Sequence, residues 1–322
     1  MKKALLEILE PIQSHLTTVD EIITSNLKTG VPQIDESTLY LFSQGGKKIR
    51  ASLVLLANGI GGNLVEGIHE IAAAVEIIHA GTLIHDDIID QSIVRRGNKT
   101  VSKQYGNKIA VLSGDFLYTN AMNIIVKDPE TKIFPVIVSS TRDMVQGELY
   151  QIQYSDIENI SEDHYFNIIE LKTARFMAGC TKMGAMKAGM NQEHCNKMYE
   201  MGLYFGYAFQ IIDDMLDITG QEIGKDTDND FHDKKVTLPL IHYYFNSDEA
   251  KQNDLVTIFS NQDKTNWNII KNTIKENGSL DYAFTVAIEY IQKGKKILEE
   301  FPNNEYRNII IELADFFVKR KF

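Results

Sequence analysis

The chain has 322 residues, 43% of them hydrophobic, and a formal net charge of −11 from 44 acidic and 33 basic residues. The apolar content is that of an ordinary globular protein, whereas the acidic surplus argues against a nucleic-acid partner, because such proteins usually carry a basic surplus. Only two cysteines are present, the N-terminus is charged, and no apolar run reaches about 18 residues. We therefore expect a cytoplasmic protein without a disulfide framework, membrane span or signal peptide.

Helices are predicted along most of the chain, because long stretches lack glycine and proline and carry apolar residues at helical spacing. The predicted helices cover 4–27, 36–46, 48–59, 68–90, 107–126, 134–153, 161–189 and 193–219, resume after residue 239, and include three more in 263–322. Ser161, followed by Glu162 and Asp163, has the pattern of an N-cap with an acidic first turn. Residues 220–235 are predicted as a polar loop. No composition shift marks a boundary, so we expect a single all-α domain over residues 1–322.

The segment His85-Asp86-Asp87-Ile88-Ile89-Asp90 ends the helix predicted from residue 68. Asp86 and Asp90 would lie on one helix face, about 6 Å apart along the axis. Such carboxylates repel one another unless a hard cation lies between them, and oxygen ligands suit magnesium. One cluster of this kind is more often a solvated acidic helix end, so it does not predict a metal site by itself.

A second cluster, Gln210-Ile211-Ile212-Asp213-Asp214-Met215-Leu216-Asp217, repeats the spacing inside an apolar helix. Burying its three carboxylates without a partner would be costly, so a metal ion or another cation is expected there. Together, the two clusters predict magnesium-dependent chemistry on a diphosphate substrate.

Basic groups near the first cluster predict anion binding. The segment Gly45-Gly46-Lys47-Lys48-Ile49-Arg50 places two glycines and three cations at a predicted helix start, where backbone amides and basic side chains bind anions. Arg95-Arg96-Gly97 follows the first cluster directly. Lys172-Thr173, Lys225 and Lys235 are weaker candidates, because single lysines are usually solvated.

In this order along the chain, these motifs resemble those of the trans-prenyltransferases, the polyprenyl diphosphate synthases that extend an allylic diphosphate with isopentenyl diphosphate. The resemblance covers roughly residues 40–240 and further includes Glu76-x-x-His79, Gly114-Asp115, Gly147-Glu148, Gly224-Lys225 and Thr237-Leu238-Pro239. It implies an all-α helical bundle of the isoprenoid synthase type with a central cavity, a single polyprenyl synthetase domain and a homodimer. Lys48 stands where an arginine is common, Ala51 stands where a proline is common, and the loop after Gly224 is unusually acidic.

The resemblance also implies roles for individual residues. The implied magnesium ligands, for three ions with substrate bound, are Asp86, Asp90, Asp213 and Asp217, assisted by Asp87 and Asp214. The implied contacts to the allylic substrate are Arg95, Lys172, Thr173, Gln210 and Lys235, and Lys225 is a further substrate contact. The implied contacts to isopentenyl diphosphate are Lys47, Arg50, His79 and Arg96. The implied catalytic residues are Asp86, Asp87, Asp90, Lys172, Thr173, Asp213 and Asp214.

In the implied mechanism, metal ions and basic groups stabilise the departing diphosphate, so that the allylic carbon–oxygen bond ionises. The carbonyl oxygen of Lys172 and the dipoles of Thr173 and Gln210 would face the allylic cation, which the aligned isopentenyl double bond attacks. The released diphosphate can take the final proton. His79 is therefore interpreted as a binding residue and not as a general base.

Product length is predicted from Gly81, five residues before Asp86, and from its neighbour Thr82. In the family, a large aromatic residue at the first of these positions stops chain growth early. Gly81 leaves space, so we expect a medium- or long-chain product of about six to eight isoprene units, about C30–C40. The tunnel floor, whether Met122, Ile125 or a deeper residue, stays open. Product release by transient contact with a membrane surface is a further expectation.

Other functions stay open beside this one. The chain could be a short-chain synthase that makes farnesyl or geranylgeranyl diphosphate, or the catalytic subunit of a heteromeric synthase that needs a partner. A non-catalytic subunit is disfavoured because it would be expected to lose Asp-cluster residues. A terpene cyclase is disfavoured because it has no use for Lys47, Arg50 and His79.

Overall fold

Helices make up almost all the regular structure in the computed structural model, which describes residues 2–129, 132–220 and 228–319. Lys225, which was predicted to contact substrate, lies outside the described residues. The helices are α1 (Lys2–Ile8), α2 (Gln13–Asn26), α3 (Pro32–Ser43), α4 (Ile49–Ile60), α5 (Ile68–Ile89), α6 (Val101–Tyr105), α7 (Asn107–Ile125), α8 (Ile133–Gln153), α9 (Glu162–Ile169), α10 (Arg175–Lys187), α11 (Gln192–Thr219), α12 (Asn229–His232), α13 (Leu238–Phe245), α14 (Glu249–Asn261), α15 (Lys264–Glu276), α16 (Ser279–Leu298) and α17 (Glu305–Lys319). An antiparallel hairpin of β1 (Val94–Arg95) and β2 (Asn98–Lys99) follows α5.

Local sequence signals explain where some helices begin and end. Ser161, the predicted N-cap, accepts a hydrogen bond from the backbone N–H of His164, and the His164 ring accepts one from the Ser161 N–H in return. The helix predicted over 4–27 is interrupted by a 3₁₀ turn, Glu10–Ile12. The reason is Pro11, which has no N–H to donate to an α-helical bond.

Two further predictions differ from the structure. The loop predicted over 220–235 contains the short helix α12. The helix predicted over 161–189 consists of α9 and α10, which are joined by a π-helical turn, Glu170–Ala174. This turn carries the predicted substrate contacts Lys172 and Thr173. π-Turns inside α-helices occur frequently at functional sites.

Helix α5 lies at the centre of the bundle. It is buried at most positions before Asp86, as expected of a helix that is apolar on nearly all sides, and it packs against α2, α4, α7 and α10. Helix α11 packs against α10, α16 and α17. Each of these two long helices carries an Asp cluster near its C-terminal end. The predicted all-α bundle is confirmed.

A membrane-spanning helix needs about 20 consecutive, predominantly apolar residues. Over the three described segments, no helix combines the length and apolar character needed to cross a bilayer.

Candidate active site

Two neighbouring cavities lie beside α5, and Leu83 lines both of them. The first, of about 490 Å³, is bounded by Gly45 and Gly46 before α4, by His79 on α5 and by Arg96 after β1. The second, of about 230 Å³, is lined by members of both Asp clusters together with basic and amide side chains. Its predicted site residues are Asp86, Asp90, Arg95, Lys172, Thr173, Gln210, Asp214 and Lys235. We call these the basic cavity and the acidic cavity.

The central residue of the first cluster does not face the acidic cavity. Asp87 is buried, and both of its carboxylate oxygens accept hydrogen bonds from Arg95 Nε, at 2.8 and 3.0 Å. Burial raises the pKa of Asp86 to about 6; nearby Lys172 opposes this rise, whereas Glu148 and Asp90 add to it. Asp87 therefore fixes Arg95, while Asp86 contributes to a concentration of negative charge that a bound cation would relieve.

In the second cluster, by contrast, the middle residue Asp214 lines the acidic cavity, whereas Asp213 and Asp217 are not among its lining residues. Asp214 is buried and accepts hydrogen bonds from the Tyr165 hydroxyl at 2.6 Å and from Gln210 Nε2 at 2.8 Å. Burial raises the pKa of Asp214 to about 7, although these two hydrogen bonds oppose the shift. Gln210 Oε1 in turn accepts a hydrogen bond of 2.8 Å from the Thr173 hydroxyl. The middle aspartate of each cluster is thus held by protein groups.

A lysine connects the first cluster with the segment after α12. Lys235 Nζ contacts Asp90 at 3.0 Å and Asp233 at 2.8 Å. Asp230, which lies in α12 itself, donates its backbone N–H to the Asp217 carboxylate at 3.0 Å. Burial raises the pKa of the Asp230 carboxyl well above its usual range, and Asp217 adds to that rise. Both Asp clusters therefore contact residues 230–235, which lie in α12 and directly after it.

The π-turn brings Lys172 into the acidic cavity beside an acidic side chain of α8. Lys172 Nζ forms an ion pair with Glu148 and donates to Gln151 Oε1 at 3.3 Å. In the sequence, Glu148 belongs to one of the motifs that carry the family resemblance, whereas Gln151 belongs to none of them. Nothing in the sequence marks Gln151, because its role depends on the packing of α8 against the π-turn.

The basic cavity contains an electrically neutral histidine among arginines. Burial lowers the pKa of His79 well below its ordinary value, and Arg50, Arg96 and Arg95 add to this effect. Arg50 is half-buried, and its guanidinium lies 5.8 Å from the centre of the Phe176 ring. His79 can therefore offer a hydrogen bond in this cavity without carrying charge.

The segment before α4 is bent at Gly45, where φ is 70°. Lys48, the N-cap of α4, has a left-handed backbone with φ of 48°. Its ammonium forms an ion pair with Asp20 on α2, a residue that sequence reasoning missed. Lys47 belongs to the same segment, and the guanidinium of Arg96 lies against Gly46. Of the predicted cations, Arg96 lines the basic cavity, whereas Lys47 and Arg50 are not among its lining residues.

The two predicted chain-length residues lie at a helix contact. A Cβ atom at Gly81 would be 3.3 Å from the Gly114 carbonyl oxygen of α7 and 3.5 Å from the Tyr118 ring. Thr82 donates its hydroxyl to the His79 carbonyl oxygen at 2.7 Å. Neither Gly81 nor Thr82 lines the acidic or the basic cavity. The space expected beside Gly81 is filled by α7, because α5 and α7 pack closely there.

The donor set of the acidic cavity fits magnesium only in combination with another ligand. In the described part of the chain, no group of three or more histidine, cysteine or acidic side chains is arranged to hold a metal ion alone. Magnesium is usually held by one or two carboxylates together with substrate phosphates and water. The hard oxygen donors Asp86 and Asp90 of the acidic cavity suit sites of this shared kind.

Comparison with known proteins agrees with this geometry. The model of the polyprenyl synthetase family matches residues 31–276. The chain belongs to the polyprenyl synthetase family. Its relatives include the octaprenyl diphosphate synthase of Haemophilus influenzae, 33% identical over 100% of both chains. They also include the geranylgeranyl diphosphate synthase of Methanosarcina mazei, 30% identical over 99% of both chains.

A solved relative shows that this polyprenyl synthetase has the fold of the family. The structure of a polyprenyl synthase from Caulobacter crescentus, complexed with calcium and isoprenyl diphosphate, matches with a TM-score of 0.93 at 30% identity. The match covers 100% of this chain and 98% of the other. The predicted family, fold and enzyme class, a prenyltransferase, are confirmed. The prediction of a medium- or long-chain product agrees with the octaprenyl relative.

Proposed function

We propose that this polyprenyl synthetase condenses an allylic diphosphate, farnesyl or geranylgeranyl diphosphate, with isopentenyl diphosphate. The products are diphosphate and an all-trans polyprenyl diphosphate of medium or long chain, about six to eight isoprene units. The supporting observation is the pair of cavities that share Leu83: members of both Asp clusters line one, whereas Lys48, His79 and Arg96 line the other together with Asp20 and Glu76. Such a pair suits two diphosphates whose reacting carbons must meet.

The acidic cavity would bind the allylic diphosphate. The expected magnesium ligands are Asp86, Asp90, Asp213 and Asp217. When bound, magnesium would supply Lewis-acid stabilisation of the charge that develops on the leaving diphosphate. Arg95, fixed by Asp87, would contact the diphosphate directly, as would Lys172, Lys225 and Lys235.

The polar groups at the π-turn would act on the carbon skeleton. The hydroxyl of Thr173 and the amide of Gln210 are held in one chain of hydrogen bonds that ends on Asp214 and Tyr165. Preorganised dipoles of this kind stabilise developing charge without reorganising during the reaction. Thr173, Gln210 and the Lys172 carbonyl oxygen would therefore stabilise the allylic cation.

The basic cavity would bind isopentenyl diphosphate through Lys47, Arg50, Arg96 and the neutral His79. The position of Leu83 between the cavities would direct the double bond of this substrate toward the allylic carbon. The released diphosphate would accept the final proton. We further propose that residues 1–322 act as one domain; a cytoplasmic location and product release at a membrane surface stay predictions.

The reaction can be tested on the purified chain with magnesium, farnesyl diphosphate and isopentenyl diphosphate. Asp86→Asn and Asp213→Asn should each lower kcat by roughly 10²- to 10³-fold, because each removes charge stabilisation from the transition state. EDTA should abolish turnover, and added magnesium should restore it. Asp163→Asn, an exposed position in the first turn of α9, is the matched control and should leave kcat unchanged. No turnover by the wild-type chain alone would contradict a self-sufficient synthase.

Product length can be tested at Tyr118. A tail that grows from the first cluster back along α5 would meet this ring beside Gly81, so Tyr118→Ala should lengthen the main product by at least about one isoprene unit. Thr119→Ala, on the exposed side of α7, is the control. Product lengths are read by chromatography of the hydrolysed prenols. An identical distribution for wild type and Tyr118→Ala would show that the tail passes elsewhere.

We also propose a homodimer through the outer surfaces of α7 and α8. The exposed apolar side chains there are Val111, Leu112, Val138, Val145, Leu149 and Ile152. A cluster of this kind usually marks a protein interface. Leu149→Glu should give a monomer in sedimentation, whereas Ile269→Glu, a similarly exposed position on α15, should not. A monomeric wild type would rule out the dimer.

A further inference from the structure

The π-helical turn at Glu170–Ala174 carries an ion pair that matches its geometry. The backbone N–H of Arg175 donates to the Glu170 carbonyl oxygen, which is the bond that defines a π-turn. The same two residues also pair through their side chains: Glu170 Oε1 accepts from Arg175 Nε at 2.9 Å and lies 2.7 Å from Nη2. In an α-helix, neighbours are three or four positions apart, so a pair five positions apart is specific to this turn.

Residues of two other helices, α8 and α11, form hydrogen bonds with this ion pair. Asp143 on α8, which is buried, accepts a hydrogen bond from Arg175 Nη1 at 3.1 Å. Tyr207 on α11 donates its hydroxyl to Glu170 Oε2, and its ring stacks on Tyr290 with 4.7 Å between centroids. Burial opposes the charged form of Arg175, but the hydrogen bonds that its guanidinium donates to Glu170 and Asp143 outweigh this effect and raise the pKa of the guanidinium.

Close backbone contacts hold the inner side of the turn. A Cβ atom at Gly147 of α8 would be 2.7 Å from the backbone nitrogen of Lys172, and one at Gly206 of α11 would be 2.4 Å from the Cα atom of Ala174. Both separations are shorter than real Cβ atoms allow, so only glycine permits this approach. The turn is therefore packed tightly inside and tied by charged groups outside.

We propose that Glu170, Arg175 and Asp143 form a clamp that fixes the π-turn and so positions Lys172 and Thr173 toward the acidic cavity. Relaxation of the turn to α-helical hydrogen bonding would rotate these two residues relative to α10. The Thr173 hydroxyl would then lose its 2.8 Å hydrogen bond to Gln210. Glu170 and Arg175 touch neither cavity, so they are positioning residues. The expected effect on turnover rests on the proposed prenyl transfer.

Arg175→Met tests the clamp in the full-length chain. It should lower kcat by about 10- to 100-fold, because small displacements of reacting groups have effects of this size. The KM for isopentenyl diphosphate should stay within about 3-fold, because that substrate is expected in the other cavity. Arg142→Met is the matched control: Arg142 contacts the same Asp143 at 3.2 Å but is mostly exposed and has no contact with Glu170 in the described structure. Glu170→Gln is a second clamp variant if Arg175→Met does not fold.

Two readouts separate positioning from a merely structural role. Hydrogen exchange should accelerate at the amides of residues 171–176 in Arg175→Met and not in Arg142→Met, whether or not the chain is active. In a Thr173→Ala background, the further loss of kcat caused by Arg175→Met should be smaller than in the wild type, because one of the two groups that the clamp positions is already absent. Unchanged exchange in both clamp variants, or fully multiplicative losses, would overturn the clamp. An inactive wild type with accelerated exchange in the variant would instead refute the proposed reaction alone.

Discussion

Carboxylates near the C-terminal ends of α5 and α11 repel one another, and the surrounding structure must offset this repulsion. Burial is the largest cause that raises the pKa of Asp86 to about 6 and that of Asp214 to about 7, and neighbouring carboxylates add to both shifts, which shows how poorly this cavity tolerates negative charge. Protein groups neutralise or hydrogen-bond part of the cluster: Arg95 holds Asp87, Tyr165 holds Asp214, and Lys235 contacts Asp90. The remaining charge makes the cavity receptive to cations that arrive with a diphosphate.

This constraint also explains the division into two cavities. The acidic cavity needs added cations before it can accept an anion, whereas the basic cavity already contains Lys48 and Arg96 beside His79, together with Asp20 and Glu76. A neutral His79 adds a hydrogen-bonding group there without strengthening the repulsion among the nearby arginines Arg50, Arg95 and Arg96. The two diphosphates can thus be bound by different interactions on either side of Leu83, one through added cations and the other through basic side chains of the protein. The π-turn serves the acidic side, since it carries Lys172 and Thr173.

The sequence was sufficient for the fold class, the family and the two Asp clusters, because these depend on spacing within one helix. It did not show that Asp87 and Asp214 face protein partners, since Tyr165 lies far from Asp214 in the chain and has no motif of its own. The same holds for the ion pair between Lys48 and Asp20. The sequence predicts that Gly81 lies on the helix that carries the first Asp cluster. It does not predict which side chains surround Gly81, because Tyr118 reaches it only through the packing of α5 on α7. No periodicity predicts the π-turn, which depends on contacts with α8 and α11.

The central claim is that the Asp clusters bind magnesium together with a diphosphate and not by themselves. Calorimetric titration of magnesium into the purified chain tests it most directly, with and without an allylic diphosphate analogue whose reactive carbon–oxygen bond is replaced by carbon–sulfur. The account predicts that the analogue tightens magnesium binding by at least about 10-fold, since substrate phosphates supply part of the coordination shell. Equally tight magnesium binding without the analogue would contradict it.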